Sequence, residues 1–267
     1  MYNVAALIRA VIANQRGGVG KTTTAINGAA HLANSGYRTL LIDTDTQSSA
    51  AVMLNLSPRY FFRHFVLKEC SLPQCVVEVS KNFHVLCGNK QTVQAESILA
   101  SAADSGFTLK TMLEPWESQY GATILDVSPS INLVQTCALI YARNVVIPIN
   151  MDFLSLNGGY ATYETIRHLN ASVNAGIRLI GLLPCQVDRR LSVTRLILEG
   201  IQSMSQMFGV PVLPGIRTDQ NVNRAFFARQ PLLEYNPHSK ASQDYVKAFD
   251  EVIAVIKEKD NGSETAK

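Results

Sequence analysis

Paired cysteines are missing from this chain. Its five cysteines, Cys70, Cys75, Cys87, Cys137 and Cys185, are odd in number and form no C-x-x-C pair. That excludes a disulfide framework and a thiolate zinc site, and leaves buried thiols as the plain reading. No uninterrupted apolar run approaches the roughly 20 residues that a transmembrane helix needs. The first nine residues carry no basic stretch followed by a cleavable apolar one, so no signal peptide is expected and a cytoplasmic location is the default expectation. Charge is sparse as well. Charged residues make up 17% of the sequence and the net charge is only +3, so the chain is not basic throughout.

What the chain does have is an alternation of strand-like and helical patterns. Its 267 residues suffice for one large domain with a sizeable core, expected over 1–259, with a polar, disordered tail at 260–267. Apolar runs at 10–13, 39–42, 83–86, 123–125, 144–149 and 178–184 read as strands, with a shorter one at 210–213. Several are apolar throughout, as expected when helices cover both faces of a parallel sheet. Helical patterns fall at 24–35, 156–175, 194–208 and 241–259, and Gly36 stands where a left-handed cap should end the first. The fold class that follows is a doubly wound α/β domain, its sheet mainly parallel. Residues 57–114 show no clear period.

The most informative stretch runs Asn14-Gln15-Arg16-Gly17-Gly18-Val19-Gly20-Lys21-Thr22-Thr23-Thr24, between the first strand and the first helix. Glycines let successive backbone N–H groups curl around a phosphate without Cβ clashes, and the helix N-terminus adds positive potential. Gly17 to Thr23 would cradle the phosphates, Lys21 would reach the β- and γ-phosphates, and the Thr22 hydroxyl would ligate Mg²⁺. This is a nucleoside-triphosphate site, although the usual P-loop pattern has glycine where Gln15 stands.

Two carboxylate groups complete it. The run 40–42 ends in Asp43-Thr44-Asp45-Thr46-Gln47, and the run 123–125 ends in Asp126-Val127-Ser128-Pro129-Ser130. Ligand sites of parallel sheets form at the carboxyl ends of strands, where an aspartate can hold Mg²⁺ through its water shell. Asp45, two residues beyond Asp43, could orient an attacking water. The competing reading is that these aspartates simply end strands in turns.

The loop resembles the deviant Walker A motif, K-G-G-V-G-K-[ST], of the ParA/MinD group of P-loop ATPases, with Arg16 in place of its signature lysine. Other landmarks extend the resemblance over nearly the whole chain. Asp43 to Gln47 is similar to the motif D-x-D-P-Q, with Thr46 for proline, and Asp126 to Ser130 is similar to D-x-P-P-S. Val146-Ile147-Pro148-Ile149 with Leu156-Asn157-Gly158-Gly159, Asp188-Arg189-Arg190, Ile216-Arg217 with Arg224-Ala225, and Tyr235 to Ala241 match later ones. The resemblance implies ATP and Mg²⁺ as cofactors. It implies Asp45 as the water-positioning carboxylate, Asp43 and Asp126 around the metal, and Thr22 as its direct protein ligand. It also implies an ATP-sandwich homodimer in which Arg16 reaches the partner's phosphates, keeping the charge of lysine in a longer, planar fork.

Within that group the chain looks like ParA rather than MinD, because its last helical stripe ends in Lys257-Glu258-Lys259-Asp260 without a basic, aromatic terminus. No stable membrane binding is therefore expected, nor is the N-terminal helix-turn-helix extension of larger plasmid ParA proteins. The scattered cysteines count against nitrogenase iron protein relatives, which need paired ones. It implies non-specific DNA binding, a nucleoid-associated location, and a ParB-like partner that stimulates hydrolysis while a cargo is positioned. Between Gln186 and Pro231, six arginines (Arg189, Arg190, Arg195, Arg217, Arg224, Arg229) face three acids, an excess as large as the net charge. These arginines are the candidate DNA contacts, or in part a frame for the nucleotide base. A slowly or non-hydrolysing dimer switch and a MinD-like membrane-surface ATPase remain as alternatives.

Overall fold

Residues 7–101 and 105–264 are described by a computed structural model of the chain. Seven strands are β1 (Ile8–Ile12), β2 (Thr39–Asp43), β3 (Val76–Ser80), β4 (Phe83–Leu86), β5 (Ala122–Asp126), β6 (Asn144–Asn150) and β7 (Arg178–Cys185). They form a single sheet in the order β3-β4-β2-β5-β1-β6-β7, parallel everywhere except at the edge pair β3/β4. The expected doubly wound, mainly parallel sheet is the one observed.

Helices cover both faces. On one side lie α1 (Lys21–Asn34), α2 (Ser49–Leu54), α10 (Gln220–Phe227), α11 (Leu232–Tyr235) and α12 (Lys240–Glu264). On the other lie α3 (Phe62–Val66), α4 (Leu72–Cys75), α5 (Thr92–Ser101), α6 (Thr108–Leu113), α7 (Leu133–Ala142), α8 (Phe153–Val173) and α9 (Ser192–Phe208). The period-2 geometry of β1 feeds both layers: Ala10 and Ile12 pack toward α1 and α12, while Val11 and Ala13 pack toward the opposite face. A strand with partners on both faces is largely apolar, which is why β2 and β5 show no alternation and β1 departs only at Arg9, half-buried and paired with Glu117.

The register brings the chemistry to one end. Asp43 and Asp126 are direct partners in the β2/β5 ladder, and β1 runs beside β5 with its carboxyl end at the same level. Since β1 lies between β5 and β6, the loop leaving it opens into the crevice above the sheet centre.

Several expectations shift. The segment 210–213 is not a strand: Val212 makes one isolated bridge to Leu182, and Pro211, which has no N–H to give, interrupts any longer ladder. Helix α7 went unread because eight of its ten residues are buried, so its sequence is apolar all round and has no helical period. Asn132 caps it by accepting the Gln135 N–H at 2.8 Å. Gly36 is left-handed (φ 91°) just past α1, as expected. The disordered tail expected from 260 gives way to helix through Glu264, with Asp260 paired to Arg178 at 2.7 Å. Its remainder, 265–267, and the start of the chain, 1–6, over which the lack of a leader was read, lie outside the described residues.

Candidate functional site

The loop between β1 and α1 is built for an anion. Gly18 (φ 75°) and Gly20 (φ 89°) are left-handed, a conformation that strains any residue with a Cβ. A Cβ built at Gly17, Gly18 or Gly20 meets nothing within 4 Å, so the loop faces open space. Helix α1 starts with no side-chain cap and no acidic residue in its first turn. Its first N–H groups are therefore free to face a negative ligand. The loop borders a cleft of about 520 Å³ that Lys21, Thr22, Asp45, Gln47 and Ser128 also line.

Lys21 is 7% exposed, and its ammonium donates to the Arg16 carbonyl at 2.8 Å. Burial lowers its pKa, while the charges of Asp126 and Asp45 oppose that shift. Opposite sits Asp126, 1% exposed; neither carboxylate oxygen closes a hydrogen bond of good geometry among the described residues, although the Thr22 hydroxyl and the Lys21 ammonium act on it. Burial, then the neighbouring charge of Asp43, hold its carboxyl well above the ordinary range, while the Thr22 hydroxyl and Lys21 draw it back. An orphaned buried carboxylate is costly unless something cationic completes it. The donor set of Thr22 and Asp126, all oxygen, suits Mg²⁺.

Asp43 is fully buried too but behaves differently. Its Oδ1 accepts the Asp45 N–H at 2.9 Å and its Oδ2 the Ala50 N–H at 3.0 Å. Burial raises its carboxyl to about 7 against the pull of these two donors, with the Asp45 charge adding to the rise. Both oxygens are thus engaged in shaping the turn between β2 and α2, so the geometry gives Asp43 an organising place and leaves Asp126 as the free carboxylate. Asp45 is half-buried at the cleft, and its Oδ1 accepts the Gln47 N–H at 2.9 Å.

Arg16 is exposed on the rim, and its guanidinium has no partner among the described residues. Two glycines outside the loop support the site, Gly88 and Gly158, the second named above only as a sequence landmark. A Cβ at Gly88 would lie 2.6 Å from the Asp45 carbonyl oxygen, and one at Gly158 would lie 2.3 Å from Asn14 Oδ1. Both allow close backbone approach, and the signal in hand was an isolated glycine beside an apolar run or inside a helical one.

A second cavity, about 190 Å³, adjoins the cleft through Gly20, Thr23 and Gln186 and is lined further by Arg217, Asp219 and Phe226. Arg217 is held there by Asp244, at 2.7 and 2.8 Å. This places Arg217 at the edge of the cleft, with its side chain still 46% exposed. The other arginines of the run are spread over the surface. Arg190 pairs with Asp188, Arg195 with Glu199, and Arg229 reaches the Val52 carbonyl, whereas Arg189 and Arg224 are exposed without such partners among the described residues. No described helix is long and apolar enough to cross a membrane.

Comparison with known proteins agrees with this geometry. Residues 8–179 match the AAA domain family. Over 251 residues the chain is 31% identical to the chromosome-partitioning ATPase Soj of Thermus thermophilus, covering 94% of this chain and 97% of the relative. The sporulation initiation inhibitor protein Soj of Bacillus subtilis is 28% identical, covering 91% and 97%. Cobyrinic acid a,c-diamide synthase from Mycobacterium smegmatis, solved with a bound ATP analog and magnesium, superposes with a TM-score of 0.78 at 25% identity, over 94% of this chain and 96% of that one. Apo McdA from Cyanthece shares the fold at a TM-score of 0.81 and 20% identity, over 92% and 98%.

Proposed function

The chain belongs to the AAA-domain family of ParA- and Soj-type partition and positioning ATPases, and on that premise we propose that it is an Mg²⁺-dependent ATP hydrolase whose ATP-bound form is a DNA-binding homodimer. The observation that carries this reading is the buried, unpartnered Asp126 carboxylate facing the Lys21 and Thr22 end of a glycine cup. In this reading Lys21 leaves the Arg16 carbonyl for the β- and γ-phosphate oxygens, where its charge offsets what builds up in the transition state. Thr22 and Asp126 hold Mg²⁺, which supplies further neutralisation of the phosphate oxygens when bound. Asp45 orients the attacking water. Asp43 fixes the turn that carries Asp45. The purine side of the nucleotide falls into the cavity beside Gln186 and Asp219.

Arg16, free at the rim, contacts the phosphates of a second copy across the nucleotide. The DNA face is drawn from Arg189, Arg190 and Arg195 around the start of α9, with Arg224 on α10 and Arg229 just past it. These contact phosphates without reading bases. Hydrolysis is slow alone and is raised by a partner protein of the ParB kind, which releases the dimer from DNA and moves a cargo. Light scattering with ATP, with ADP, and with ATP but no Mg²⁺ tests the core of this. Dimers are expected only with Mg²⁺ and ATP, and phosphate release should rise with DNA and partner. A monomer under all three conditions would remove the sandwich. Stable ATP-trapped dimers without phosphate release would leave a binding switch in place of an enzyme.

A further inference from the structure

Gln15 is used by none of the chemistry above, yet it is among the most tethered residues of the loop. Its backbone N–H points to Thr162 Oγ1 at 3.1 Å and to the Gly158 carbonyl at 3.4 Å. Its Nε2 donates to the Ala161 carbonyl at 3.1 Å and to Thr165 Oγ1 at 2.8 Å, so both amide hydrogens are engaged. Asn14 strengthens the same seam: Nδ2 donates to the Ser155 carbonyl at 3.1 Å and to the Pro148 carbonyl at 2.8 Å, while Oδ1 accepts the Arg16 N–H at 2.9 Å. Ser155, Gly158, Thr162 and Thr165 fall on one face of α8 by helical spacing.

The position of Arg16 follows from that seam. A Cβ at Gly158 would come within 2.9 Å of Arg16 Cβ and 3.0 Å of its backbone nitrogen, so residue 16 rests directly on α8. Its carbonyl is the one that receives Lys21. Residues 14–16 are thus held between α8 on one side and the phosphate lysine on the other. The neighbouring solvent side of α8 begins with Phe153 and Leu154, 65% and 55% exposed. A phosphate cup needs only glycines and a helix start, so a glycine at position 15 would preserve the cup and lose the side-chain part of the tether.

We propose that Gln15 is a positioning residue: it clamps the leading arm of the phosphate loop to α8 and thereby fixes the direction in which Arg16 leaves the surface toward a second copy. The inference rests on the proposed trans role of Arg16. It adds that this role depends on a side chain that touches neither nucleotide nor partner phosphates.

The test uses the full chain and compares the wild type with Gln15→Ala, Gln15→Glu and Thr165→Ala. Glutamate has the shape of glutamine but, ionised, no N–H to donate, so it separates the donors from the bulk. Binding of ADP to the monomer should stay within about twofold in all variants, and KM for ATP should barely move. The ATP-dependent dimer constant and kcat should both fall by about tenfold in Gln15→Ala and Gln15→Glu, as expected for two lost hydrogen bonds. Thr165→Ala should cost about threefold alone and less than that on top of Gln15→Ala, because the two share one bond. Dimers as strong as wild type in Gln15→Ala, a Gln15→Glu protein that behaves like wild type, or ADP affinity that falls in step with kcat would each overturn the clamp. If Gln15→Ala fails to fold, Thr165→Ala decides, by whether kcat drops at constant KM. A wild-type protein that never dimerises with ATP would take down the proposed dimer and this inference together. Intact wild-type dimers with indifferent variants would remove the inference alone.

Discussion

The loop from Asn14 to Thr23 and the segment from 57 to 114 are built on opposite principles. The loop is glycine-rich, faces an open cleft and buries little apolar surface; what it offers is directed polar groups. The segment folds into short helices and the β3/β4 edge, and contributes Phe62, Leu72, Phe83, Leu86, Ala95, Leu99 and Leu109 to the core, none more than 1% exposed. The loop has the shape of an anion cup and adds little to the core, while the segment mainly supports the sheet and meets the cleft through Gly88, which lies against the Asp43 and Asp45 carbonyls. A substitution in either should therefore move one observable and leave the other nearly still.

Lys21→Ala gives the largest separation. Loss of the ammonium should lower ATP turnover on the order of a thousandfold, as for removal of a key charge-stabilising donor. The thermal midpoint should hold or rise slightly, since Lys21 pays a desolvation cost at 7% exposure. A midpoint that collapsed with activity would show that the loop does structural work as well.

Phe62→Ala is the converse. Phe62 is fully buried, and truncation of such a ring costs about 3–5 kcal/mol through lost transfer energy and a cavity. Denaturant midpoints should fall accordingly, while KM for ATP in the folded fraction stays unchanged. A raised KM would tie the segment to the cleft.

Asp126→Asn should split the two observables by sign. Removing a buried, unpartnered carboxylate is expected to stabilise the nucleotide-free protein by roughly 1–2 kcal/mol, while Mg²⁺-dependent turnover is lost. Asp43→Asn should not stabilise in the same way, because Asp43 already holds the N–H groups of Asp45 and Ala50. Equal effects at the two positions would erase the distinction between free and engaged carboxylate.

These contrasts also explain what the chain made legible. Phosphate binding, as proposed, demands particular residues at fixed spacing, so Gly18, Gly20, Lys21, Thr22 and Asp126 stood out as candidates from order alone, and the fold brings them to one cleft and its wall. The strand ends at Asp43 and Asp126 followed from apolar runs that stop at a carboxylate. Packing has no such grammar. Helix α7 is buried all round and so shows no period, and β3 is a half-buried edge strand of five residues that pairs with β4 as a local hairpin across Lys81 and Asn82. The hydrogen bonds that Asp43 receives from Asp45 and Ala50 were not legible in its place at a strand end. Those depend on how α2 returns over the end of β2. The arginine run hides a similar difference: Arg217 looks like Arg189 in sequence, and only Asp244, 27 residues further on, distinguishes them.

The smallest expected effect probes how tightly the packed segment is closed. Three of the five cysteines, Cys70, Cys75 and Cys87, belong to it. Burial pushes the Cys75 thiol up to about 12, with the neighbouring Cys70 adding to the rise. Cys87 reaches about 12, mainly by burial and further through the charge of Asp43. Outside the segment, burial likewise lifts Cys137 to about 11 and Cys185 to about 12. Thiolate is the reactive form, so four of the five should be silent toward iodoacetamide at pH 8, while half-buried Cys70 is modified. Intact-mass measurement should show one adduct, with or without ATP and Mg²⁺. A second adduct at Cys75 or Cys87 that disappears on adding Mg²⁺ and ATP would mean that the packed segment opens and that the cleft controls it. The separation between the two regions would then be one of average structure, not of motion.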